Sequence, residues 1–348
     1  MLSPLLSSGH ANAFRQARAL GDQLVVGVNP DVDIIKYKGG PPIMNDEERV
    51  AAVKACRFVD EVVPGAPYVM TEEYLHYIFD KYKIDYVVHG DDVCLTPDGK
   101  DVFEAAKKLG RFRTVKRTEG VSTTDLVGRM LLMNRDHHRQ LQSQVDIADS
   151  SHEAFQRAST FLPTSRRFSQ FATHKQPQPG DRVVYVDGTW DMFHAGHIEF
   201  LEQCRKQGDF LLVGVHSDDV ANQRHGANYP IMNLHERVLS VLSCKHVDDV
   251  VFGAPWKITK DLLVTFNVSV VCHGRVQESR PLPAGMEDPY SLPKEMGILR
   301  LVDSPRELKT EQIVERIMKQ RADYERKFAK KNASEQQYKQ DKVYVQEL

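Results

Sequence analysis

The chain has 348 residues, of which 41% are hydrophobic and 27% charged, and this composition is typical of a soluble globular protein with two ordinary domains. Its formal net charge of -2 excludes a nucleic-acid binder that works by bulk electrostatic attraction. The five cysteines are odd in number, widely spaced and without a Cys-x-x-Cys pair, which excludes a disulfide framework and a zinc site. Because no apolar stretch reaches membrane-spanning length, we expect a cytoplasmic protein with no transmembrane segment.

Helical and β-rich periods alternate along the first part of the chain. In order, the predicted elements are a helix over 10–22, a strand over 24–28, a helix over 46–59, a strand over 61–63, a helix over 71–82 and a strand over 86–88. This order predicts an α/β fold with a doubly wound, Rossmann-like parallel sheet. Such sheets bind ligands at the carboxyl ends of their strands, where His89-Gly90 lies.

The second half of the chain repeats the first. The matching pairs are Leu24–Val28 with Leu211–Val215, Pro42–Asn45 with Pro230–Asn233, and His89-Gly90 with His273-Gly274. The chain is therefore predicted to contain two tandem copies of one domain, each with a doubly wound parallel sheet. We expect a first domain over 1–135, a polar and partly helical linker over 136–181, a second domain over 182–320 and a charged tail over 321–348.

The clearest site motif lies just past the middle of the chain. Val183–Asp187 is a β-favouring run, an Asp-Gly turn follows, and His194-Ala-Gly-His197 opens an apolar-periodic segment. This pattern predicts a buried strand, a loop and a helix N-terminus, whose free N–H groups bind anions such as phosphate. Trp190 in the loop could line a nucleotide pocket or pack in the core, and both interpretations stay open.

The two copies differ in complementary ways. Met1–Gly9 supplies no strand and no Asp-Gly turn before His10, so the first copy is expected to be truncated at its N-terminus, with Ser7 in the place of His194. The first copy has instead Arg117–Asp125 (RTEGVSTTD), a turn that can cap a helix and contact phosphate oxygens. The second copy has a proline, Pro305, in that region. Each copy therefore lacks one wall of a phosphate site.

These two motifs resemble the signatures of the cytidylyltransferases of phospholipid synthesis, His-x-Gly-His and Arg-Thr-x-Gly-[Ile/Val]-Ser-Thr-Thr. Tandem copies resemble the branch of that family that acts on phosphoethanolamine. The resemblance implies transfer of CMP from CTP to phosphoethanolamine, giving CDP-ethanolamine and pyrophosphate, with Mg²⁺ bound to the triphosphate. CTP and phosphoethanolamine are thus the expected partners, without nucleic acid.

The family's site residues carry over position by position. The implied catalytic residues are His10, Lys38, Arg117 and Thr118 in the first copy and His194 and His197 in the second. The implied nucleotide-binding residues are Arg49, His89, Gly90, Asp91, Gly120, Ser122, Thr123 and Thr124, and then Thr189, Trp190, His225, Arg237, His273 and Gly274. His225 replaces the lysine and is a weaker, pH-sensitive cation. Lys38 and Arg49 could alternatively be ordinary surface charges.

Three explanations of the truncated first copy stay open: an incomplete sequence, a non-catalytic regulatory partner, or a site completed in another way. A second class of function is therefore a pseudoenzyme that binds CTP or CMP without turnover. A class I aminoacyl-tRNA synthetase is excluded because the chain has no Lys-Met-Ser-Lys-Ser loop. From the shared ancestry of the copies we expect them to pack as an intrachain pseudo-dimer, with a homodimer of chains as a further possibility.

Overall fold

The computed structural model describes residues 7–118, 126, 128–130, 162–226, 229–275 and 287–320. The chain divides into two compact units, with the boundary between Thr124 and Asp125. Unit 1 denotes the described residues before this boundary, and unit 2 those from 126 to 319. The boundary lies earlier than the one predicted at residue 135, and the predicted domain ranges stay a prediction. Among the described residues, no helix is both long enough and apolar enough to cross a membrane.

Unit 1 alternates helices and short strands as the sequence predicts. Its elements are α1 (Ser8–Arg18), β1 (Val25–Val28), α2 (Asp31–Lys38), α3 (Asp46–Lys54), β2 (Glu61–Pro64), α4 (Glu72–Tyr82), β3 (Val87–Gly90), α5 (Glu104–Lys108) and β4 (Phe112–Val115). The helix predicted over 46–59 ends at Lys54, and the Val59 amide instead closes a turn onto the Cys56 carbonyl. Its first turn is stabilised by Asn45, which accepts a hydrogen bond from the Glu48 amide.

Unit 2 contains the same elements in the same order, preceded by two more and followed by one. They are α6 (Ser165–Phe171), β5 (Val183–Gly188), α7 (Ala195–Arg205), β6 (Phe210–His216), α8 (Asp218–His225), α9 (Leu234–Leu242), β7 (Asp249–Ala254), α10 (Lys260–Thr265), β8 (Val268–Gly274), α11 (Ser291–Glu295), β9 (Leu299–Val302) and α12 (Thr310–Lys319). The strand, loop and helix predicted around the His-x-Gly-His motif are confirmed as β5 and α7. Helix α6 confirms that the linker is partly helical.

The sheets of the two units differ by one strand. Unit 2 has a five-stranded parallel sheet in the order β7-β6-β5-β8-β9, with β5 at its centre. In unit 1 the equivalent strands form two separate parallel pairs, β1-β2 and β3-β4. The described residues of unit 1 supply no counterpart of β5 between them. The truncation of the first copy stays a prediction, and the parallel α/β fold is confirmed in both units.

The core of unit 1 is divided in the same way as its sheet. One apolar cluster lies beside β3 and β4 and includes Leu75, Phe79 and Phe103, whereas a smaller one lies beside β1 and includes Val28 and Val53. In unit 2 the central strand joins the layers, because Tyr185 of β5 is fully buried in a cluster with its neighbours on both sides. Among the described residues of unit 1, no strand lies between these two clusters.

Candidate active site

The N-termini of α1 and α7 have the same construction. Ser7 caps α1, and its amide N–H donates to His10 Nδ1 at 3.2 Å, with the Ser7 hydroxyl 3.0 Å from the same nitrogen. His194 caps α7, and its amide N–H donates to His197 Nδ1 at 3.4 Å. The structure therefore confirms the alignment of Ser7 with His194. It also shows that the histidine shared by both copies satisfies a free N–H at its own helix start.

Unit 1 contains a cavity of about 620 Å³ between β1 and β3. Its lining includes His10, Lys38, His89, Gly90, Arg117 and Thr118, which the sequence predicts as site residues. They come from α1, from the end of α2, from the end of β3 and from the segment after β4. The cavity runs along β1 and β3 from their amino ends to their carboxyl ends, and these site residues lie around the carboxyl ends, where a doubly wound sheet binds its ligand.

Asn12 of α1 fixes the position of one of these site residues. Its side-chain amide donates to Thr118 Oγ1 at 2.8 Å, and its carbonyl oxygen accepts from Arg15 Nε at 2.9 Å. Asn12 is only 1% exposed, so this chain of hydrogen bonds is shielded from water. The start of the Arg-Thr signature is therefore tied directly to the helix that begins beside Ser7.

His89 lies at the end of β3 and is neutral at physiological pH. Burial is the main cause that lowers its pKa, to about 4. Its Nδ1 lies 3.0 Å from the carbonyl oxygen of Gly90, and the ring packs 4.7 Å from that of Phe103. A neutral imidazole with Nδ1–H bonded to a carbonyl leaves Nε2 as an acceptor, and Cys94 Sγ lies 3.8 Å from this nitrogen. A Cβ on the adjacent Gly90 would lie 2.6 Å from Asp92 Oδ1, so a larger residue there would displace Asp92.

Arg49 is neither a surface charge nor a residue of the open cavity. Its two NH₂ groups donate to Asp31 and Asp46 at 2.5 and 2.6 Å, and to the carbonyl oxygens of Met44 and Asn29, each at 2.7 Å. Since only 3% of this residue is exposed, these protein acceptors occupy the guanidinium. The predicted contact of Arg49 with nucleotide stays a prediction.

Arg237 repeats this arrangement in unit 2. It is fully buried and donates to Asp218, to the Thr189 carbonyl and to the Met232 carbonyl, at 2.6, 2.7 and 3.0 Å. Its predicted contact with nucleotide also stays a prediction. Asp31 and Asp218 occupy matching positions in the two copies.

The helix start of α7, which the sequence predicts as an anion site, is covered by the chain itself. Ser304 Oγ donates to the Gly196 carbonyl at 3.3 Å, and Thr310 Oγ1 donates to the Asp191 carbonyl at 3.0 Å. A Cβ on Gly196 would lie 2.6 Å from the Leu308 carbonyl oxygen. The glycine of His-x-Gly-His therefore makes room for residues 304–310 rather than for a phosphate.

The two histidines beneath this segment are uncharged. Burial lowers the pKa of His197 to about 3. The pKa of His194 is also lowered, mainly by burial and secondly by the nearby His197. Their rings stack 3.8 Å apart, and within the described part of unit 2 neither nitrogen of His194 has a hydrogen-bond partner. His194 is buried and His197 is partly exposed, and the catalytic role of both stays a prediction.

The other predicted residues of the second copy contact its own chain, and their contact with nucleotide stays a prediction. Trp190 is 4% exposed and its indole N–H donates to the Gly214 carbonyl at 2.8 Å, which supports the packing interpretation. Thr189 Oγ1 lies 3.1 Å from His225 Nε2. At the end of β8, before Gly274, the His273 ring packs 4.3 Å from Tyr290.

Four predicted nucleotide-binding residues lie outside the described residues: Gly120, Ser122, Thr123 and Thr124. Asp91 is described, and its amide donates to the Val115 carbonyl at 3.1 Å, which joins the ends of β3 and β4. The roles of all these residues stay predictions.

Several residues of the site could not be singled out from the sequence. Nothing in the sequence marks Asn12 as a site residue, because a polar residue in a helix is ordinarily solvated. Asp31 and Asp218 did carry a signal, since both precede the Glu-Arg motif at matching positions of the repeat. Asp187 is buried at the end of β5 and accepts a hydrogen bond from the Tyr290 hydroxyl at 2.7 Å, and burial raises its pKa.

Comparisons with known proteins agree with this arrangement. The sequence profile of the Cytidylyltransferase-like family matches the chain twice, over residues 5–129 and 185–326. An ethanolamine-phosphate cytidylyltransferase of Arabidopsis thaliana is 49% identical, with 98% of this chain and 84% of the relative covered. Proteins of the same name from Dictyostelium discoideum and Mus musculus are 49% and 46% identical; the matches cover 95% and 94% of this chain, and 92% and 86% of those relatives.

Proposed function

This chain belongs to the Cytidylyltransferase-like family, and from that premise we propose that it transfers CMP from CTP to phosphoethanolamine, giving CDP-ethanolamine and pyrophosphate. It is a nucleotidyltransferase of phosphatidylethanolamine synthesis, because relatives named for that activity match nearly its whole length. The observation that carries the assignment to unit 1 is the cavity in which His10, Lys38, Arg117 and Thr118 meet. The alternative of a CTP-binding pseudoenzyme is not favoured.

The reaction needs positioned charge rather than a nucleophilic side chain. A phosphate oxygen of phosphoethanolamine attacks the α-phosphorus of CTP in line, one P–O bond forms, and the bond to the pyrophosphate oxygen breaks. We assign charge stabilisation on the triphosphate to Lys38 and Arg117, because both are cationic and line the cavity. Thr118 donates a hydroxyl to a phosphate oxygen while Asn12 fixes its position. The start of α1 adds backbone N–H groups beside His10.

Mg²⁺ is the expected cofactor, and its fit rests on the donor set of the cavity. Among the described residues, no group of three or more His, Cys, Asp or Glu side chains is close enough to bind a metal ion. Asp92, next to Gly90 at the end of β3, is one of three aspartates that line the cavity, with Asp22 and Asp85. We propose that Mg²⁺ is bound by triphosphate oxygens and waters with Asp92 nearby, a coordination that Mg²⁺ commonly adopts. The ion would supply neutralisation of the charge that develops on pyrophosphate.

The reaction is proposed to occur in the cytoplasm. All five cysteines are free thiols, which favours a reducing compartment. The intrachain pseudo-dimer and the homodimer stay predictions, and sedimentation equilibrium over a range of concentrations tests the second.

The test of the proposed function is product formation from CTP with either phosphoethanolamine or phosphocholine, in the presence of Mg²⁺. We expect CDP-ethanolamine and pyrophosphate in equal amounts, and a much lower kcat/KM with phosphocholine. The same assay is made on a graft in which Val183–Gly196 replaces Met1–Gly9, since the graft supplies a strand to unit 1. If CTP binds but neither protein forms CDP-ethanolamine, the pseudoenzyme is correct instead.

A further inference from the structure

Helix α2 carries Lys38 as its last residue and has little apolar contact of its own to fix that end. Of its eight residues, all within the described range, only Ile34 is buried, whereas Ile35 is 46% exposed. The helix ends directly after Lys38, because Gly39 adopts the left-handed conformation with a φ of 69°. Other contacts must therefore fix the last turn of α2, from which the Lys38 side chain extends.

The turn after β2 supplies those contacts. The Tyr68 amide donates to Asp33 Oδ2 at 2.9 Å, and the Tyr37 ring stacks on the Tyr68 ring, with centroids 4.6 Å apart and planes inclined by 10°. Asp33 and Tyr37 are four positions apart, so they lie on the same face of α2. Tyr68 is only 5% exposed and belongs to the apolar cluster beside β3, so it is a firm support. The Tyr37 ring therefore holds the turn of α2 that ends at Lys38.

The residue between β1 and α2 is tied to the same turn. The side-chain amide of Asn29 donates to the carbonyl oxygens of Ala66 and Pro67, at 2.9 and 3.1 Å. In unit 2 the corresponding residue is His216, and its Nδ1 lies 3.2 Å from the Ala254 carbonyl oxygen. The start of this segment is therefore anchored to the turn in both copies.

Unit 2 also repeats the ring contact, with different side chains. By the alignment of the copies, Arg224 corresponds to Tyr37 and Trp256 to Tyr68, and the Arg224 guanidinium lies 5.8 Å from the centroid of a Trp256 ring. A stacked ring pair and a cation above a ring thus occupy the same place in the two units. In both units the next residue along the chain ends the helix and carries a nitrogen base, which is His225 in unit 2.

We propose that Tyr37 is a positioning residue for the reaction, because its contact with Tyr68 fixes the place from which Lys38 reaches the triphosphate of CTP. This inference rests on the proposed function, which assigns Lys38 to the triphosphate. The described residues that line the cavity include Lys38 and Tyr68 but not Tyr37. Tyr37 therefore acts on the nucleotide through Lys38 and not by touching it.

The first test is calorimetric titration of the full chain with CTP and Mg²⁺. Tyr37→Ala removes the ring and should weaken CTP binding about fivefold, whereas Tyr37→Phe keeps the ring and should bind CTP as tightly as the unchanged chain. One matched control is Ile35→Ala, which truncates an exposed side chain of the same helix. The other is Arg224→Ala, which removes the corresponding residue of unit 2. Neither control should weaken binding; no loss in Tyr37→Ala, or an equal loss in Ile35→Ala, overturns the proposal.

The second test separates positioning from a general loss of stability. If Tyr37 acts only through Lys38, then Tyr37→Ala should weaken CTP binding in the unchanged chain and have no further effect in Lys38→Ala. In steady-state kinetics, the KM for CTP should rise in Tyr37→Ala while the KM for phosphoethanolamine stays the same. A partly unfolded protein would instead lower kcat and leave both KM values unchanged. Equal losses in the two backgrounds, or unchanged KM values, refute the proposal.

Failure of the positioning role differs from failure of the proposed function. CDP-ethanolamine formation with no effect of Tyr37→Ala refutes the positioning role and leaves the proposed function standing. CTP binding without product refutes the proposed function, and the CTP affinities of the four proteins in the cycle still decide the role of Tyr37. A chain that binds no CTP overturns both.

Discussion

Arg129 and Glu236 form a buried ion pair whose removal should destabilise unit 2. Arg129 follows the Arg-Thr signature in the sequence, yet it belongs to unit 2. Its guanidinium donates to both carboxylate oxygens of Glu236, at 2.7 and 3.0 Å, and to the Ile231 carbonyl at 3.1 Å. The side chains are 9% and 2% exposed. Glu236 also accepts from the Asn233 amide at 2.9 Å, which fixes it at the start of α9.

The expected cost follows from the charge that would remain. Arg129→Met leaves a buried carboxylate without its cation, and breaking a buried pair in this way costs about 3–5 kcal/mol. Replacing both residues with Met removes both charges, so the double variant should lose less than Arg129→Met alone. The matched control is Arg306→Met, because Arg306 and Glu199 form a less buried ion pair, with side chains 30% and 22% exposed. That variant should cost no more than about 1 kcal/mol.

The assay is urea unfolding followed by tryptophan fluorescence. The chain has only two tryptophans, Trp190 and Trp256, and both lie in unit 2, so the signal reports on that unit. A loss below about 1 kcal/mol in Arg129→Met, or equal losses in Arg129→Met and Arg306→Met, would refute the reasoning from burial.

Three further predictions concern single residues. Burial lowers the pKa of His89 to about 4, so nitrogen NMR should show a neutral ring at pH 6. Because the unfolded chain takes up this proton first, unit 1 should lose stability as the pH falls from about 6.5 towards 4. An imidazolium signal at pH 6 would contradict this prediction. Burial raises the pKa of Asp187, so ionised Asp187 lowers the stability of the folded state at pH values above its unfolded pKa. The variant Asp187→Asn should therefore raise the urea midpoint of unit 2 at pH 7, and raise it less at pH 4. A lowered midpoint at pH 7 would contradict this prediction. Asn12→Ala removes the bond to Thr118 and should weaken CTP binding by about fivefold, measured by calorimetry, whereas an unchanged Kd would show that Thr118 needs no such support.

The fold followed from the sequence wherever the pattern was local. The β-favouring runs and the repeat predicted the strands and their parallel order. Helix lengths were less predictable. The helix over 46–54 ends early because Cys56 and Val59 form a turn, and nothing in the apolar spacing of 46–59 marks that change.

The burial and contacts of the site residues were harder to predict, because they depend on segments that are far apart in the sequence. Lys38 and Thr118 meet in one cavity as the resemblance implies. Arg49 and Trp190 carry the family's motifs but are buried among protein partners, and burial cannot be read from a motif. Residues 304–310 cover the start of α7, a contact between segments about 110 positions apart that only the fold brings together.

The central claim is that the nucleotide site lies in unit 1 and not in unit 2. Calorimetric titration of the full chain with CTP and Mg²⁺ tests it directly, with Lys38→Ala and His225→Ala as paired variants at matching positions of the repeat. The account predicts one CTP per chain, a loss of affinity of at least about tenfold in Lys38→Ala and no change in His225→Ala. Two CTP per chain, or a loss confined to His225→Ala, would contradict it.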